Sequence, residues 1–214
     1  MAFTVAILAQ KGGTRKTTIA RAVGVAFTKG GWNTVVRDMD PGQASAVSWN
    51  LRRQARDITP ALAIEKHAHV STVLAGRDDY DLVIIDGKGY SSKETAEVAQ
   101  ASDLILIPSG TGLDDLEPSV SLALSLVQEF GIDPTRILFP LTNMGKSQVD
   151  VAEARIYLDK AGFQSSPGHI SFMTCYSQAH DQGRAITEVG APGPKKQANE
   201  WIRGIIERIE QLAA

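Results

Sequence analysis

The sequence predicts an α/β fold in which a mostly parallel β-sheet carries helices on both faces. Apolar segments without polar alternation recur along the chain, as is typical of strands that are buried on both sides. Segments with helical periodicity separate them, which indicates strand–helix–strand units. The chain has 214 residues and shows no repeat or linker, so residues 1–214 are predicted to form a single domain.

The predicted strands are the segments in which apolar residues cluster without a helical spacing. The strongest is 81–86, where Leu82-Val83-Ile84-Ile85 is an uninterrupted apolar run. In chain order, the predicted strands are 3–9, 33–37, 61–65, 81–86, 103–108 and 136–141.

The predicted helices are bounded by residues that favour helix ends. Gly30-Gly31 is predicted to end the first helix. Asp114 or Asp115 is predicted to cap a later one, with Pro118 in its first turn. The last helix follows from apolar residues that recur at helical spacing. In chain order, the predicted helices are 17–29, 44–55, 70–75, 92–99, 114 or 115 to 130, 149–160 and 201–212.

Composition limits the classes of protein to consider. Hydrophobic residues make up 43% of the chain and charged residues 21%, which is typical of an ordinary globular protein. The formal net charge of -2 gives no overall positive field, so any DNA binding requires a local basic patch. The single Cys175 excludes an internal disulfide and fits a reducing cytosol. No apolar run approaches the length of a membrane span, so we expect a cytoplasmic protein.

Residues 10–18, Gln-Lys-Gly-Gly-Thr-Arg-Lys-Thr-Thr, lie between a predicted strand and a predicted helix. Loop N–H groups and the positive end of the helix dipole would face the same point there, which suits a phosphate group. Lys16 adds a mobile charge, and Thr17 adds a hydroxyl where a phosphate-bound Mg²⁺ would lie. The segment therefore indicates a nucleoside triphosphate site. The alternative is a glycine-rich turn with solvated lysines.

Three carboxylates follow strands of the same predicted sheet. Asp38 and Asp40 lie two residues apart after one strand, and Asp86 ends another. Ligands of parallel sheets bind at the carboxyl ends of the strands, where the phosphate loop also lies. A carboxylate in the place of Asp86 can hold Mg²⁺ or its water shell. The alternatives are a helix or turn cap at Asp86 and a simple turn before Pro41.

The loop departs from the general phosphate-loop pattern, because Gln10 and Arg15 stand where that pattern has glycine. What remains is Lys11-Gly12-Gly13-x-x-Lys16-Thr17-Thr18, which resembles the deviant Walker A box of the ParA/MinD family of P-loop ATPases. Asp38-Met39-Asp40-Pro41 resembles the Walker A′ box of the same family.

The resemblance extends over nearly the whole chain. Residues 79–87 are similar to the Walker B region of the family, and residues 101–108 to the strand that follows it. Tyr176-Ser177-Gln178-Ala179 with Gly183 resembles the segment before the C-terminal helix. The short length and Asp86-Gly87-Lys88-Gly89 are most similar to compact partition ATPases without an N-terminal DNA-binding domain.

The resemblance implies a role for each residue of the site. Asp40 would orient the attacking water, and Asp38 would lie near the water shell of the metal. The implied catalytic residues are Lys11, Lys16 and Asp40, and the implied metal-site residues are Thr17, Asp38 and Asp86. The implied ATP-binding residues are Lys11, Gly12, Gly13, Thr14, Arg15, Lys16, Thr17, Thr18 and Asn143.

Two arginines do not fit the expected pattern. Arg15 replaces a glycine at a position suited to a glycine-only backbone conformation and close approach to phosphate. A long cation there either obstructs the site or adds charge for the phosphates, and we expect it to slow basal hydrolysis without abolishing binding. Arg37 interrupts an otherwise apolar strand, and the sequence offers no reason for it.

Two basic clusters are candidates to follow a DNA backbone without reading its sequence. The first comprises Arg52, Arg53 and Arg56, and the second, which is the predicted DNA-binding set, comprises Lys195, Lys196, Arg203 and Arg208. The alternative is a solvated helix face, since Glu200, Glu207 and Glu210 are interspersed with the second cluster.

Together these features predict a ParA-type ATPase with ATP and Mg²⁺ as cofactors. ATP would join two copies into a homodimer that binds DNA non-specifically on the nucleoid. A ParB-like protein or cargo adaptor would trigger hydrolysis. One alternative is a nucleotide-binding scaffold whose hydrolysis Arg15 impairs. Another is a small-molecule ligase or kinase on a related P-loop fold, and both Lys11 and the Asp38/Asp40 pair argue against it. A MinD-like membrane switch would need a basic amphipathic tail, which residues 211–214 do not supply, so no membrane partner is expected.

Overall fold

The computed structural model describes residues 2–40, 45–88, 93–143 and 147–213. The strands in these ranges are β1 Phe3–Ile7, β2 Thr34–Asp38, β3 Ala63–Lys66, β4 Leu82–Asp86, β5 Leu104–Leu106, β6 Ile137–Phe139, β7 Thr142–Asn143, β8 Gln164–Ser165 and β9 Ile170–Ser171. The α-helices are α1 Lys16–Lys29, α2 Ser45–Gln54, α3 Val70–Val73, α4 Lys93–Gln100, α5 Leu113–Phe130, α6 Gln148–Lys160, α7 Thr174–Asp181 and α8 Pro192–Ala213.

Seven of these strands form one sheet in the order β3-β2-β4-β1-β5-β6-β8, and β7 pairs separately with β9. Every pairing within the described residues is parallel. Strands β1, β2 and β4 are buried along all five of their residues, which explains their nearly continuous apolar sequences. The predicted α/β class with a mostly parallel sheet is confirmed.

The sheet has a hydrophobic core on each face. Successive side chains of a strand point to opposite faces, so Val5 and Ile7 join a core with residues of α1 and α8. Ala6 joins a second core with residues of α4, α5 and α6. Each fully buried Ile, Leu or Val side chain on either face stabilises the fold by about 1.5–3 kcal/mol. Helices therefore cover both faces, as predicted.

The predicted cap of the fifth helix is wrong. Gly112 precedes α5 in an extended conformation, whereas Asp114 and Asp115 lie in its first turn and Pro118 lies inside the helix. The Asp115 side chain lies beside Gly110, where a Cβ would lie 2.1 Å from Asp115 Oδ2. Two further differences concern other elements. Helix α8 begins at Pro192, well before the predicted start. Helix α7 and strands β7–β9 were not predicted, because such short elements carry no recognisable period.

Arg37 is buried in β2, with 3% of its surface exposed. Its guanidinium donates to Glu65 Oε2 on β3 at 2.9 Å and to the carbonyls of Val73 and Ala75 at 2.7 and 2.8 Å. The ring of Tyr80 lies 5.6 Å from the guanidinium carbon. A buried cation is tolerated when it is paired and hydrogen-bonded. Arg37 therefore connects strand β2 to the edge strand β3 and to the C-terminal end of α3.

Arg53 is fully buried as well, which removes it from the candidate DNA surface. It donates to both carboxylate oxygens of Glu188 at 2.7 and 3.1 Å, and to the carbonyls of Pro60 and Gly183. Gly183 has a φ of 75°, and a Cβ there would lie 2.3 Å from the Arg53 backbone nitrogen. The suggestion that Arg53 follows a DNA backbone is therefore wrong, since this side chain fastens α2 to the segment after α7.

Candidate functional site

The loop between β1 and α1 leaves the N-terminus of a long helix open. Within the described part of the chain, no side chain caps this end, and the first turn of α1 contains no acidic residue. Gly13 and Arg15 turn the loop with positive φ values of 78° and 70°. A Cβ on Gly12 or Gly13 would meet no atom within 4 Å, so the space around them is open. Free N–H groups beside open space at the positive end of a helix dipole form a site for an anion.

Lys16, the first residue of α1, brings a cation to the same place. Burial lowers the pKa of Lys16, and the attraction of Asp86 and Asp40 offsets this shift only in part. Lys16 thus experiences the charge of both acids from the first position of the helix. Phosphate oxygens bound there would receive charge-assisted hydrogen bonds from it.

Asp38, Asp86 and Thr17 meet beside Lys16. Strands β2 and β4 are neighbours, and Asp38 is paired directly with Asp86 in their register. The Thr17 hydroxyl is hydrogen-bonded to Asp86. Burial, together with the charge of Asp38, raises the pKa of Asp86 to about 6, although the hydrogen bond from Thr17 acts to lower it. Burial also raises the pKa of Asp38.

These residues fit a magnesium ion. Asp38 Oδ2 is buried and has no hydrogen-bond partner in the described part of the protein. A divalent cation would satisfy this oxygen and offset the repulsion between the two buried carboxylates. The described residues hold no cluster of three or more His, Cys, Asp and Glu side chains suited to a metal. Magnesium does not need such a cluster, because it is commonly held by one or two carboxylates, water and substrate phosphates.

Asp40 follows β2 by two residues and is half-buried. Its N–H donates to Asp38 Oδ1 at 2.9 Å, which closes a turn at the end of the strand. The turn keeps the Asp40 carboxylate near Lys16, and the charge of this carboxylate acts to raise the pKa of Lys16. Pro41, the last residue of the predicted Walker A′ box, lies outside the described residues.

Lys11 belongs to the phosphate loop, but its side chain contacts helix α5. Its ammonium group donates to the backbone carbonyl of Asp114 and lies 3.9 Å from the Asp115 carboxylate. In a regular helix the Asp114 carbonyl would accept the N–H of residue 118, but that residue is proline and has no N–H. The orphan carbonyl is thus the acceptor that Lys11 uses, and this lysine remains 48% exposed.

A cavity adjoins the phosphate loop on the side of Arg15 and Thr18. The loop after β9 supplies Phe172 and Met173, and α7 supplies Tyr176. The Arg15 guanidinium carbon lies 5.2 Å from the centre of the Phe172 ring. Sequence reasoning missed Phe172 and Met173, because the strand that precedes them is too short to carry a period.

The remaining predicted nucleotide contacts have simpler settings. The Thr14 hydroxyl donates to the Lys11 carbonyl at 3.4 Å, which helps to shape the loop. Thr18 lies in the first turn of α1 and lines the cavity. Asn143 ends β7, next to the cavity residue Thr142, but its side chain lies outside the described part of the structure.

The predicted DNA-binding residues are spread along α8. Lys196 and Arg203 face the acids one turn on, with Lys196 3.9 Å from Glu200 and Arg203 3.6 Å from Glu207. Arg208 donates to the backbone carbonyl of Thr135.

Lys195 is exposed and lines a groove with three other cations, which are Lys29, Arg56 and Arg184. Asp57 and Glu188 also line this groove, so its cations outnumber its acids by four to two. The other three predicted residues make local contacts.

Comparison with known proteins gives a consistent result. Residues 5–212 match the family model of the CobQ/CobB/MinD/ParA nucleotide binding domain. The protein ParA of Rhizobium radiobacter is 28% identical over 130 residues, which are 60% of this chain and 59% of that protein. The match thus spans less than two thirds of the length of this curated relative.

Solved structures show the same fold. MinD of Pyrococcus horikoshii, complexed with Mg-ADP, superposes with a TM-score of 0.76 at 14% identity over 100% of this chain and 99% of its own. Apo McdA of Cyanothece gives a TM-score of 0.73 at 16% identity over 98% of this chain and 100% of its own. No helix among the described residues is both long and apolar enough to span a membrane.

Proposed function

Because this chain belongs to the CobQ/CobB/MinD/ParA nucleotide binding domain family of ATPases, we propose that it is an ATP-driven switch of the ParA type. It binds Mg·ATP at the loop 10–18 and hydrolyses it slowly. ATP joins two copies into a homodimer, which holds DNA non-specifically and positions a cargo such as a plasmid or chromosome. A ParB-like protein or cargo adaptor stimulates hydrolysis, and the cycle runs in the cytoplasm, on the nucleoid when ATP is bound.

One observation carries this proposal. An uncapped helix N-terminus with Lys16 lies directly beside Thr17, Asp38 and Asp86, and Asp40 follows on the same strand end. The helix N-terminus with Lys16 suits the phosphates, and Thr17, Asp38 and Asp86 suit Mg²⁺. Asp40 places a carboxylate where a water can be oriented. When bound, the metal supplies positive charge to the phosphates. The residues of the chain hold the phosphates and position the water.

We expect Asp40→Ala to lower turnover much more than ATP affinity. A group that positions water acts in the transition state, so its loss lowers kcat and spares ground-state binding. A loss of about 100-fold in kcat with less than about threefold change in ATP affinity is the expected scale for a lost general base or positioning residue. Phosphate release and isothermal titration measure the two quantities. Asp78→Ala, an exposed acid in a 3-10 turn, is the matched control.

Normal hydrolysis by Asp40→Ala would assign the water-positioning role to another residue. An inactive wild type that still binds ATP would instead favour the nucleotide-binding scaffold. A ligase or kinase would hydrolyse ATP only with a co-substrate, so turnover of ATP alone by the wild type also separates that alternative.

We expect DNA retention to depend on the groove that Lys195 lines. Its cations Lys195, Arg56 and Arg184 are suited to successive phosphates, while Lys29 is paired with Glu188 at 3.0 Å. Lys195→Glu should weaken ATP-dependent binding to DNA of any sequence and reduce the salt dependence by about one counterion or more. Arg203→Glu on the same helix is the matched charge change. Filter binding at several salt concentrations measures both, and equal losses in the two variants would contradict the assignment to this groove.

A further inference from the structure

Arg21 is a buried cation on the face of α1 that borders the proposed metal site. Only 6% of its surface is exposed. It lies four residues after Thr17, whose hydroxyl is hydrogen-bonded to Asp86. Residues four apart in a helix are neighbours on one face, so the Arg21 side chain starts one turn from the group that contacts Asp86.

The indole ring of Trp49 holds the Arg21 guanidinium in this position. The guanidinium carbon lies 5.3 Å from the ring centre, which is within the range of a cation–π contact. Trp49 is fully buried, and its Nε1 donates to the Arg184 carbonyl at 3.1 Å, so the ring itself is fixed. Arg53 lies 5.4 Å from the same ring centre, but its guanidinium is bonded to Glu188. Arg21 is thus enclosed between α1 and α2, and its charge cannot turn outward into solvent.

The two carboxylates assigned to the metal also act on Arg21. Burial and the charge of Arg52 together lower the pKa of Arg21 to about 10, although the charges of Asp86 and Asp38 act to raise it. The guanidinium therefore remains charged at pH 7. A buried cation is tolerated when opposite charge lies nearby, and Asp38 and Asp86 supply that charge.

We propose, on the basis of the Mg·ATP site proposed above, that Arg21 is a specificity-determining residue which makes metal binding depend on the nucleotide. A positive charge fixed beside Asp38 and Asp86 repels a divalent cation that arrives alone. The same charge attracts the phosphates of ATP. It also attracts the complex of ATP with Mg²⁺, because that complex keeps a net negative charge. Arg21 therefore disfavours the metal by itself and favours it together with the nucleotide.

The test measures metal binding and nucleotide binding separately, because loss of the Arg21 charge should change them in opposite directions. Mn²⁺, an oxygen-preferring substitute for Mg²⁺ that electron paramagnetic resonance detects, is titrated into the protein without nucleotide. ATP is titrated in the presence of EDTA, without metal. We expect Arg21→Met to bind Mn²⁺ about five- to tenfold more tightly and ATP about five- to tenfold more weakly than the wild type. Arg21→Lys keeps the charge although it loses the stacking, so both affinities should lie within about threefold of wild type.

Two further variants separate charge from packing. Arg53→Met removes the other arginine from the Trp49 ring, and it should not tighten Mn²⁺ binding, because the Arg53 charge is paired with Glu188. Arg21→Gln is a second neutral variant, which replaces Arg21→Met if thermal unfolding shows that the methionine variant is not folded.

A purely structural role for Arg21 would give a different result. A site distorted by lost packing against Trp49 would bind both Mn²⁺ and ATP more weakly, and this outcome would overturn the proposal. A neutral variant that bound Mn²⁺ no more tightly than the wild type would overturn it too, as would identical affinities in Arg21→Lys and Arg21→Met. A wild type that bound ATP neither with Mg²⁺ nor without it would instead overturn the proposed function itself.

Discussion

Replacing Lys16 by alanine is expected to remove ATP binding almost completely while leaving the protein folded. Lys16 is the cation at the uncapped N-terminus of α1, and a charge-assisted hydrogen bond to phosphate contributes about 1.5–3 kcal/mol. Two such bonds correspond to a loss of about 100-fold or more in affinity, since each 1.4 kcal/mol is a factor of ten. The effect is enlarged because Asp86 and Asp40 would then repel the phosphates without the neutralising cation.

Isothermal titration of ATP in the presence of Mg²⁺ measures this loss. Lys29→Ala is the matched control, because Lys29 ends the same helix and is half exposed. Thermal unfolding of both variants shows whether a change in affinity reflects a change in folding. Equal ATP affinity in Lys16→Ala and wild type would exclude the loop 10–18 as the phosphate site.

The fold could be predicted from the sequence because burial of a parallel strand on both faces demands an uninterrupted apolar run. Leu82-Val83-Ile84-Ile85 satisfies this demand, and the strand they form lies between β2 and β1 in the sheet. Gly87 follows for a steric reason. A Cβ there would lie 2.8 Å from Leu8 Cδ2 and 2.9 Å from the Ile7 carbonyl oxygen, so only glycine lets the chain leave the strand beside β1.

The placement of the candidate site was predictable for a related reason. The carboxyl ends of parallel strands meet at one edge, so Asp38 and Asp86 could be expected to lie together without knowledge of the strand order. The pairing of these two residues in register bears out the expected proximity. Their assignment to Mg²⁺ and the assignment of Asp40 to water remain predictions.

The buried arginines could not be predicted, because their partners are distant in sequence. Arg53 and Glu188 are 135 residues apart, and Arg37 is bonded to two carbonyls at the end of α3 and just beyond it. A hydropathy scale assigns each arginine to the surface, whereas both side chains are buried in the structure. The surroundings of the Arg15 side chain were hidden for the same reason. Its departure from glycine is visible in the sequence, but its contact with Phe172 requires the loop after β9 to fold back onto the phosphate loop.

The behaviour of Lys11 separates a ParA/MinD-type switch from other phosphate-loop enzymes. Within one copy the site already has Lys16, so a second lysine five residues earlier is redundant for simple ATP binding. In the described structure Lys11 is held on α5 by the Asp114 carbonyl that Pro118 leaves unpaired. The contact is exposed, so it costs little to break. Lys11 can therefore leave α5 when a stronger acceptor, such as the triphosphate of a second copy, comes within reach.

We expect Lys11→Ala to keep ATP affinity within about threefold of wild type but to lose ATP-dependent dimerisation, and with it hydrolysis and DNA retention. Two triphosphates that face each other across a two-fold interface repel strongly when poorly screened, and Lys11 from each copy would neutralise the charge on the other. Light scattering with a slowly hydrolysed ATP analogue measures the dimer directly. Asp115→Asn is the matched control, since it removes the nearby acid but keeps the lysine, and it should dimerise at least as readily as wild type. If Lys11→Ala still dimerised with the analogue, the protein would be an ordinary phosphate-loop ATPase whose lysine serves only the contact with α5.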